Sequence, residues 1–330
     1  MSDPTGTLSG ALYVPGFQAN LNLLPQQTTS RLLGCVDADL NYAPKGQFFN
    51  ADDIGTSDPA DVTTRVPNSP DGFVDTYRRF GAFKPYADGK FLDNEDMARE
   101  LEDPTSKVMA AMLAGQGRKR DLAILAGLVG TYQYQDANQN YQAGAANANV
   151  IAANFALAHE GETISAVFNA TSTGYGLTIG KLIQTKINLD NSEIDEPMPG
   201  DKPSEYYFVC TATQLGQLLQ SVPATSSYYS QVQGLVNGTL NYFMGFHFIR
   251  VPSNANFNPL TKTSYTRQCI AFHKRAVVYR ARPIISTEVA KRADKSFRWY
   301  AYYEADHGCV RRYDGGVWQV NCDETTTGFN

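Results

Sequence analysis

The sequence predicts a mixed α+β chain organised on one long helix, and three observations carry that reading. The run TSKVMAAMLAGQGRKRDLAILAGLVGTYQ after Asp103-Pro104 keeps helical spacing to residue 131. From Gln268 onward the chain is strand-rich, in QCIAFHKRAVVYRA, IISTEVA and SFRWYAYYEA. Between Cys35 and Phe91, by contrast, aliphatic residues are too sparse to make a core. With 330 residues, 42 % hydrophobic and 18 % charged, the chain can bury a core elsewhere, in one large or two medium domains.

The elements follow in order. Residues 1–30 are polar, rich in Gly, Pro, Thr and Gln, with one apolar patch, LNLLP, at 21–25. Such a segment would fray in a lone molecule. In 35–91, polar clusters (ADDIGTSDPADVTT, VPNSPDG) separate strand-like DADLNY and FVDTYRRF. That pattern predicts a long two-stranded hairpin with a polar tip, and because isolated hairpins are marginal it should lie on something else.

Asp103 suits a helix cap and Pro104 the first helical position. A helix from 104 to 131 would be roughly 42 Å long. Val108, Met112, Leu122, Leu125 and Val129 fall on one face. Gly115 and Gly117 each cost a helix about 1 kcal/mol relative to Ala, which predicts close backbone packing or a bend. Residues 135–175 are rich in Ala, Asn, Gln and Gly and predict loop with small strands.

Thr178 caps a second predicted helix, with Ile179, Leu182, Ile183 and Ile187 apolar. A strand, EYYFVC at 205–210, leads to a short helix with Thr213 as cap, Leu215, Leu218 and Leu219 inward, and a stop before Pro223. GTLNYFMGFHFIRV at 238–251 alternates like sheet. In SFRWYAYYEA, Phe297, Trp299, Ala301 and Tyr303 share one face, and Arg298, Tyr300, Tyr302 and Glu304 the other. VRRYDGGVWQV predicts a closing hairpin, with Cys309 and Cys322 opposite or diagonal according to which pair forms the turn.

The formal net charge of −5 argues against a general nucleic-acid binder. Charge is segregated: residues 1–64 hold seven acids and two bases, residues 265–320 eleven bases and five acids. The two regions either neutralise each other within a subunit or, if the acidic excursion reaches outward, form complementary patches on neighbouring copies. The longest apolar runs fall far short of the roughly 18–20 residues of a membrane span. MSDPTGTLSG has no signal-peptide pattern, so a protein made in the cytosol, without a membrane, is expected.

Five Cys without a CxxC pair, beside four His, predict free thiols and no metal site. GYGLTIGK at 174–181 misses the phosphate-loop spacing. His159-Glu160-Gly161-Glu162 is no zincin motif, and no Gly-x-Ser-x-Gly occurs. Neither a cofactor nor an enzyme is expected.

The collinear order RVPNSPDGFVDTYRRFGAFKPY, FLDNEDMARELEDPTSKVMAAMLAGQGRKRDLAILAGLVG, LTIGKLIQTKINL, EYYFVCTATQLGQLLQ, GLVNGTLNYFMGFHFIRVP and VRRYDGGVWQVNC resembles the major capsid proteins of tailed bacteriophages, over about residues 30–322. The resemblance implies the Hong Kong 97-type fold. It divides the chain into an N-terminal arm (1–30), an extended β-hairpin loop region (31–93), a peripheral domain (94–176) with spine helix 104–131, an axial domain (177–252), and return strands of the peripheral domain with the C-terminus (253–330).

It further implies a shell protein that self-assembles as pentamers and hexamers into an icosahedral head around double-stranded DNA, held non-specifically. Portal, scaffolding and decoration proteins would be its partners. The protein would reside in the virion after synthesis in the host bacterial cytoplasm. Arg78, Arg79, Arg118 and Arg120, with Asp52 and Asp53, are the candidate inter-subunit contacts; each is as readily an ordinary surface pair worth about 0–1 kcal/mol. The alternatives are an encapsulin-type cellular compartment, which shares the fold, and a soluble enzyme.

Overall fold

A computed structural model describes residues 26–59, 61–65, 72–92, 105–136, 140–155, 174–194, 205–254, 257–283 and 286–324. The apolar patch at 21–25 and the Asp103-Pro104 helix start lie outside them. Strands run β1 (Asp37–Asp39), β2 (Phe48–Ile54), β3 (Thr76–Ala82) and β4 (Lys84–Leu92), then helix α1 (Thr105–Val129). After it come β5 (Gln133–Gln135), β6 (Tyr141–Ala143), β7 (Val150–Ile151), α2 (Ile179–Asp190), β8 (Tyr206–Cys210), α3 (Ala212–Ser221) and α4 (Tyr229–Asn237). The remainder is strand: β9 (Tyr242–Phe243), β10 (Phe246–Arg250), β11 (Lys262–Thr263), β12 (Thr266–His273), β13 (Val277–Ala281), β14 (Ser286–Arg292), β15 (Arg298–Arg311) and β16 (Val317–Asp323).

Helix α1 is the long helix expected, and it buries Met112, Ile124, Leu125 and Leu128. Its first half packs on β15 through Met112 against Ala301, Tyr303 and Ala305. Its second half enters a core with Leu32, Val36, Phe272, Val277 and Tyr279. Close approach explains two of its glycines. A Cβ on Gly117 would lie 3.1 Å from the backbone of Thr29 and Ser30, and one on Gly127 would lie 2.8 Å from Cys309. Gly115 meets only the end of Arg118, at 3.8 Å.

The strands form three sheets among the described residues. One has the order β1-β13-β15-β14, with β4 also paired to β15. A second, β7-β16-β12-β8-β10-β9 with β11 beside β12, forms the centre of the molecule. The period-2 rule decides its two faces. Tyr206, Phe208, Cys210, Cys269 and Ala271 face helices α2 to α4, while Val209, Ile270 and Phe272 face the α1 core. The third sheet, β2-β3-β5-β6, widens the predicted hairpin from two strands to four.

Several expectations need correction. Strands β15 and β16 do not form a hairpin: β16 pairs with β12 and β7, β15 with β13, β14 and β4. The intervening turn carries the chain from one sheet to the next, so Cys309 and Cys322 are neither opposite nor diagonal; all five thiols are free. The α3 cap is Thr211, whose hydroxyl and main chain exchange hydrogen bonds with Gln214 in a capping box, and Thr213 lies inside the helix. Ile187 on α2 is exposed, although Thr178 caps that helix as expected.

The stretch before residue 93 also folds back onto its own chain more than its composition suggests. β1 runs parallel to β13, and β4 pairs with β15 from Lys84 to Leu92, so only β2 and β3 project as the hairpin. Strands after Gln268 divide between two sheets: β12 and β16 join β8, while β13 to β15 join β1 and β4. Long-range partners, rather than local aliphatic content, hold these segments.

Candidate assembly surfaces

The hairpin meets the body at an apolar pivot. Phe49, fully buried, packs with Ala51, Phe83, Val278 and Val310. Its ring is seated where only glycine fits: a Cβ on Gly81 would come 2.1 Å from it, and one on Gly308 would come 2.9 Å.

Beyond the pivot, ions bridge to the turn after β15. Arg79 donates to both Asp314 oxygens, at 3.0 and 2.8 Å, and to the Arg311 carbonyl at 3.1 Å. Its guanidinium also lies 3.9 Å over the Tyr132 ring. Asp53 pairs with Arg312. Arg311 is buried and donates to Asp314 at 2.6 Å, to the Leu128 and Gly130 carbonyls at 2.8 and 3.0 Å, and to Ala145 at 3.0 Å. A cation there satisfies carbonyls left open at the α1 C-terminus and opposes the helix dipole. Burial raises the Asp314 pKa, but the hydrogen bonds of Arg79 and Arg311 outweigh it and hold the carboxyl below its ordinary value.

A second anchor fixes where the N-terminal segment leaves the body. Asp121, buried in mid-helix, accepts from the Ser30 hydroxyl at 2.5 Å and from the main-chain N–H of Arg31 and Leu32 at 3.1 and 3.2 Å. It also accepts from the Gln27 amide. Arg118 donates to Gln26 Oε1 at 2.7 Å and to the Gln27 carbonyl at 3.3 Å. With Gly117 admitting the Thr29–Ser30 backbone, one turn of α1 forms a seat for residues 26–32.

Every sequence-predicted contact residue is placed. Arg78 and Asp52 pair at 2.7 Å across β2 and β3, both about half exposed at 52 % and 46 %. Arg79 and Asp53 belong to the hairpin junction, and Arg118 to the arm seat. Arg120 lies near Tyr279 and His307, where its charge helps lower the His307 pKa. The acidic and basic regions do meet within the subunit, through Asp53–Arg312 and Asp37–Arg280. Sequence reasoning missed Asp121, Arg311, Arg312 and Asp314. The only local signal was a carboxylate directly after Arg118-Lys119-Arg120 and a charged triplet in the turn RRYD.

Apolar side chains on and beyond the hairpin strands find no cover: Ile54 is 79 %, Val62 74 % and Phe73 104 % exposed.

Comparison with known proteins identifies the family. Residues 10–324 match the family model for phage capsid protein. The chain belongs to that family. No curated protein matches this capsid protein by sequence. Among solved structures, it is similar to the capsid of Ralstonia phage GP4 (TM-score 0.64, 9 % identity, 100 % of both chains covered). It is also similar to the capsid of cyanophage Pam1 (TM-score 0.64, 12 % identity, 99 % of this chain and 100 % of that one). A third is the chain from Mycobacterium phage Che8 (TM-score 0.60, 14 % identity, 93 % and 97 % covered). The capsid protein thus has the Hong Kong 97-type fold and is a virion component that self-associates into the head shell.

Proposed function

We propose that this chain is the major capsid protein of a tailed phage, assembling as pentamers and hexamers into an icosahedral head that packages double-stranded DNA. The observation that carries the reading is the capsid family match along almost the whole chain, joined to a hairpin that leaves Ile54, Val62 and Phe73 uncovered. Burying side chains of that size contributes about 1.5–3 kcal/mol each, and each copy repeats the contact with its neighbour. Heterologous contacts of this kind close into rings.

The N-terminal arm and hairpin loop then supply most of the inter-subunit area. Arg78 and Asp52, exposed on the loop, are the sequence-predicted residues best placed to meet a neighbour, whereas Arg79 and Asp53 position the loop and Arg118 the arm from within, and Arg120 belongs to the body beside Tyr279 and His307. The segments 94–176 and 177–252 would act as peripheral and axial domains. Portal, scaffolding and decoration proteins are the other partners this role calls for, and synthesis takes place in the host bacterial cytoplasm. The role is structural.

Electron microscopy of the purified protein tests this directly: closed shells are expected, with an absorbance ratio typical of nucleic acid when particles come from infected cells. Shells filled with protein, or a small monodisperse species at every salt concentration, would overturn it. Deletion of residues 1–25 is expected to block or distort assembly in sedimentation; unaltered shells would remove the arm from the account.

A further inference from the structure

We infer that Asp314 is the positioning residue of the hairpin loop, a single carboxylate that locks the loop's direction to the spine helix. This rests on the reading that the loop meets a neighbouring subunit, since only then does its direction matter.

The hairpin is joined to the body in a way that fixes a pivot but not an angle. Phe49, between Gly81 and Gly308, is an apolar contact and therefore non-directional. Beside it, β3 pairs with β5 through only two residue positions, Arg79 with Tyr134 and Phe80 with Gln133. Above the pivot a cleft of about 610 Å³ separates the hairpin side, at Ile54, Tyr77 and Arg79, from the body, at Ile194, Arg275 and Tyr313. The hairpin therefore stands off the body. What crosses the gap is polar: Arg79 to Asp314 and Asp53 to Arg312, both ending in the turn at 311–314.

Asp314 differs from the other partners because two guanidinium groups share it. Arg79 binds it in the two-pronged geometry that fixes orientation as well as distance. Arg311 binds the same carboxylate while holding the last carbonyls of α1. One side chain thus connects the C-terminus of the spine helix to β3. Arg79 and Arg311 side chains are only 17 % and 1 % exposed. Without the carboxylate Arg79 keeps the Arg311 carbonyl and the Tyr132 ring and Arg311 keeps three carbonyls, but the two cations lose their shared counter-charge and the two-pronged bond that orients β3. A small tilt at the pivot is amplified along the strands, so the loop tip moves most.

The test uses the full chain before and after assembly, with Asp314→Asn and Arg79→Lys. Arg79→Lys removes the two-pronged bond but leaves Arg311–Asp314 in place, so it remains informative if Asp314→Asn does not fold. In the unassembled subunit, amide hydrogen exchange in Phe48–Ile54 and Thr76–Ala82 is expected to speed up about tenfold in both variants, with Thr266–His273 unchanged. Assembled particles are expected to vary in diameter. Unchanged exchange in the hairpin, or an equal rise in all three sheets, would overturn the positioning role. Faster hairpin exchange with shells of normal size would leave the lock standing and instead overturn the reading that the loop sets the contact between subunits.

Discussion

At the scale of single residues, buried polar atoms and glycines decide more than the apolar list does. Asp121 answers two backbone N–H groups and a hydroxyl of residues 30–32 from inside a helix. Each orphaned buried donor costs about 1–3 kcal/mol, so Asp121→Ala should lower the unfolding free energy by about 2–3 kcal/mol in urea titration. Proteolysis at residues 26–32 should also become faster than in the parent. Glycines divide by what they face. Gly81→Ala drives a methyl into the buried Phe49 ring and should cost about 1–3 kcal/mol. Gly89→Ala meets the hydroxyl and ring edge of Tyr300, which is half-buried beside Phe91 and Tyr302 but has solvent on one side to swing into, and should cost less, about 0.5–1 kcal/mol. Thermal melts of the two variants would separate them. None of these roles was visible in the sequence: Arg118-Lys119-Arg120-Asp121 reads as a solvated or salt-bridged helix face, and nothing local marks its last member as the seat of residues ninety positions earlier.

At the scale of elements, periodicity made most of the helices and strands legible, while partners stayed hidden. The 3.6-residue pattern located α1 and α2, and alternation located β10 and β15, because burial of one face imposes both rules; β8, β12 and β13 showed only as strand-rich apolar runs, being largely buried throughout. Pairing depends on register with strands far away in sequence, and there local signals misled. VRRYDGGVWQV has the chemistry of a hairpin turn, yet Arg311 within it turns inward to the α1 carbonyls and the next strand joins another sheet. Helix α1 offers a direct test of packing against propensity. Gly115→Ala should stabilise by up to about 1 kcal/mol, since its new methyl meets only the end of Arg118 at 3.8 Å. Gly127→Ala gains the same propensity but sets a methyl 2.8 Å from Cys309 Cβ and 2.9 Å from its carbonyl carbon, forcing helix and sheet apart. Its melting temperature should fall where that of the other rises.

At the scale of the whole molecule, elements distant in sequence converge on His307 of β15, and the subunit's acid sensitivity follows from it. The ring stacks on Tyr86 of β4 at 4.4 Å and lies 5.8 Å from Tyr279 of β13, with Arg120 of α1 nearby. Burial first, and the Arg120 charge second, lower its pKa from 6.5 to about 4, against a raising main-chain hydrogen bond at Lys119. The folded subunit therefore keeps a neutral ring at pH values where the unfolded chain already binds a proton. Unfolding takes up that proton below pH 6.5, so stability is complete above it and declines as pH falls toward 4. Glu324, whose pKa lies below 4.5 through hydrogen bonds from Arg267, Lys262 and Gln214 that outweigh burial, adds its own loss mainly at lower pH. Burial shifts Asp306 the other way, despite Arg282, so its titration opposes that of its neighbour. For that reason a variant, not the raw profile, isolates the histidine. Between pH 6.5 and 5 the parent should lose about 1.5 kcal/mol through this one group, read as a falling urea midpoint of the unassembled chain. His307→Phe, which keeps a ring between the two tyrosines, should flatten that interval while leaving the steeper loss below pH 4.5. An equal slope in parent and variant would show that the proton is taken up elsewhere.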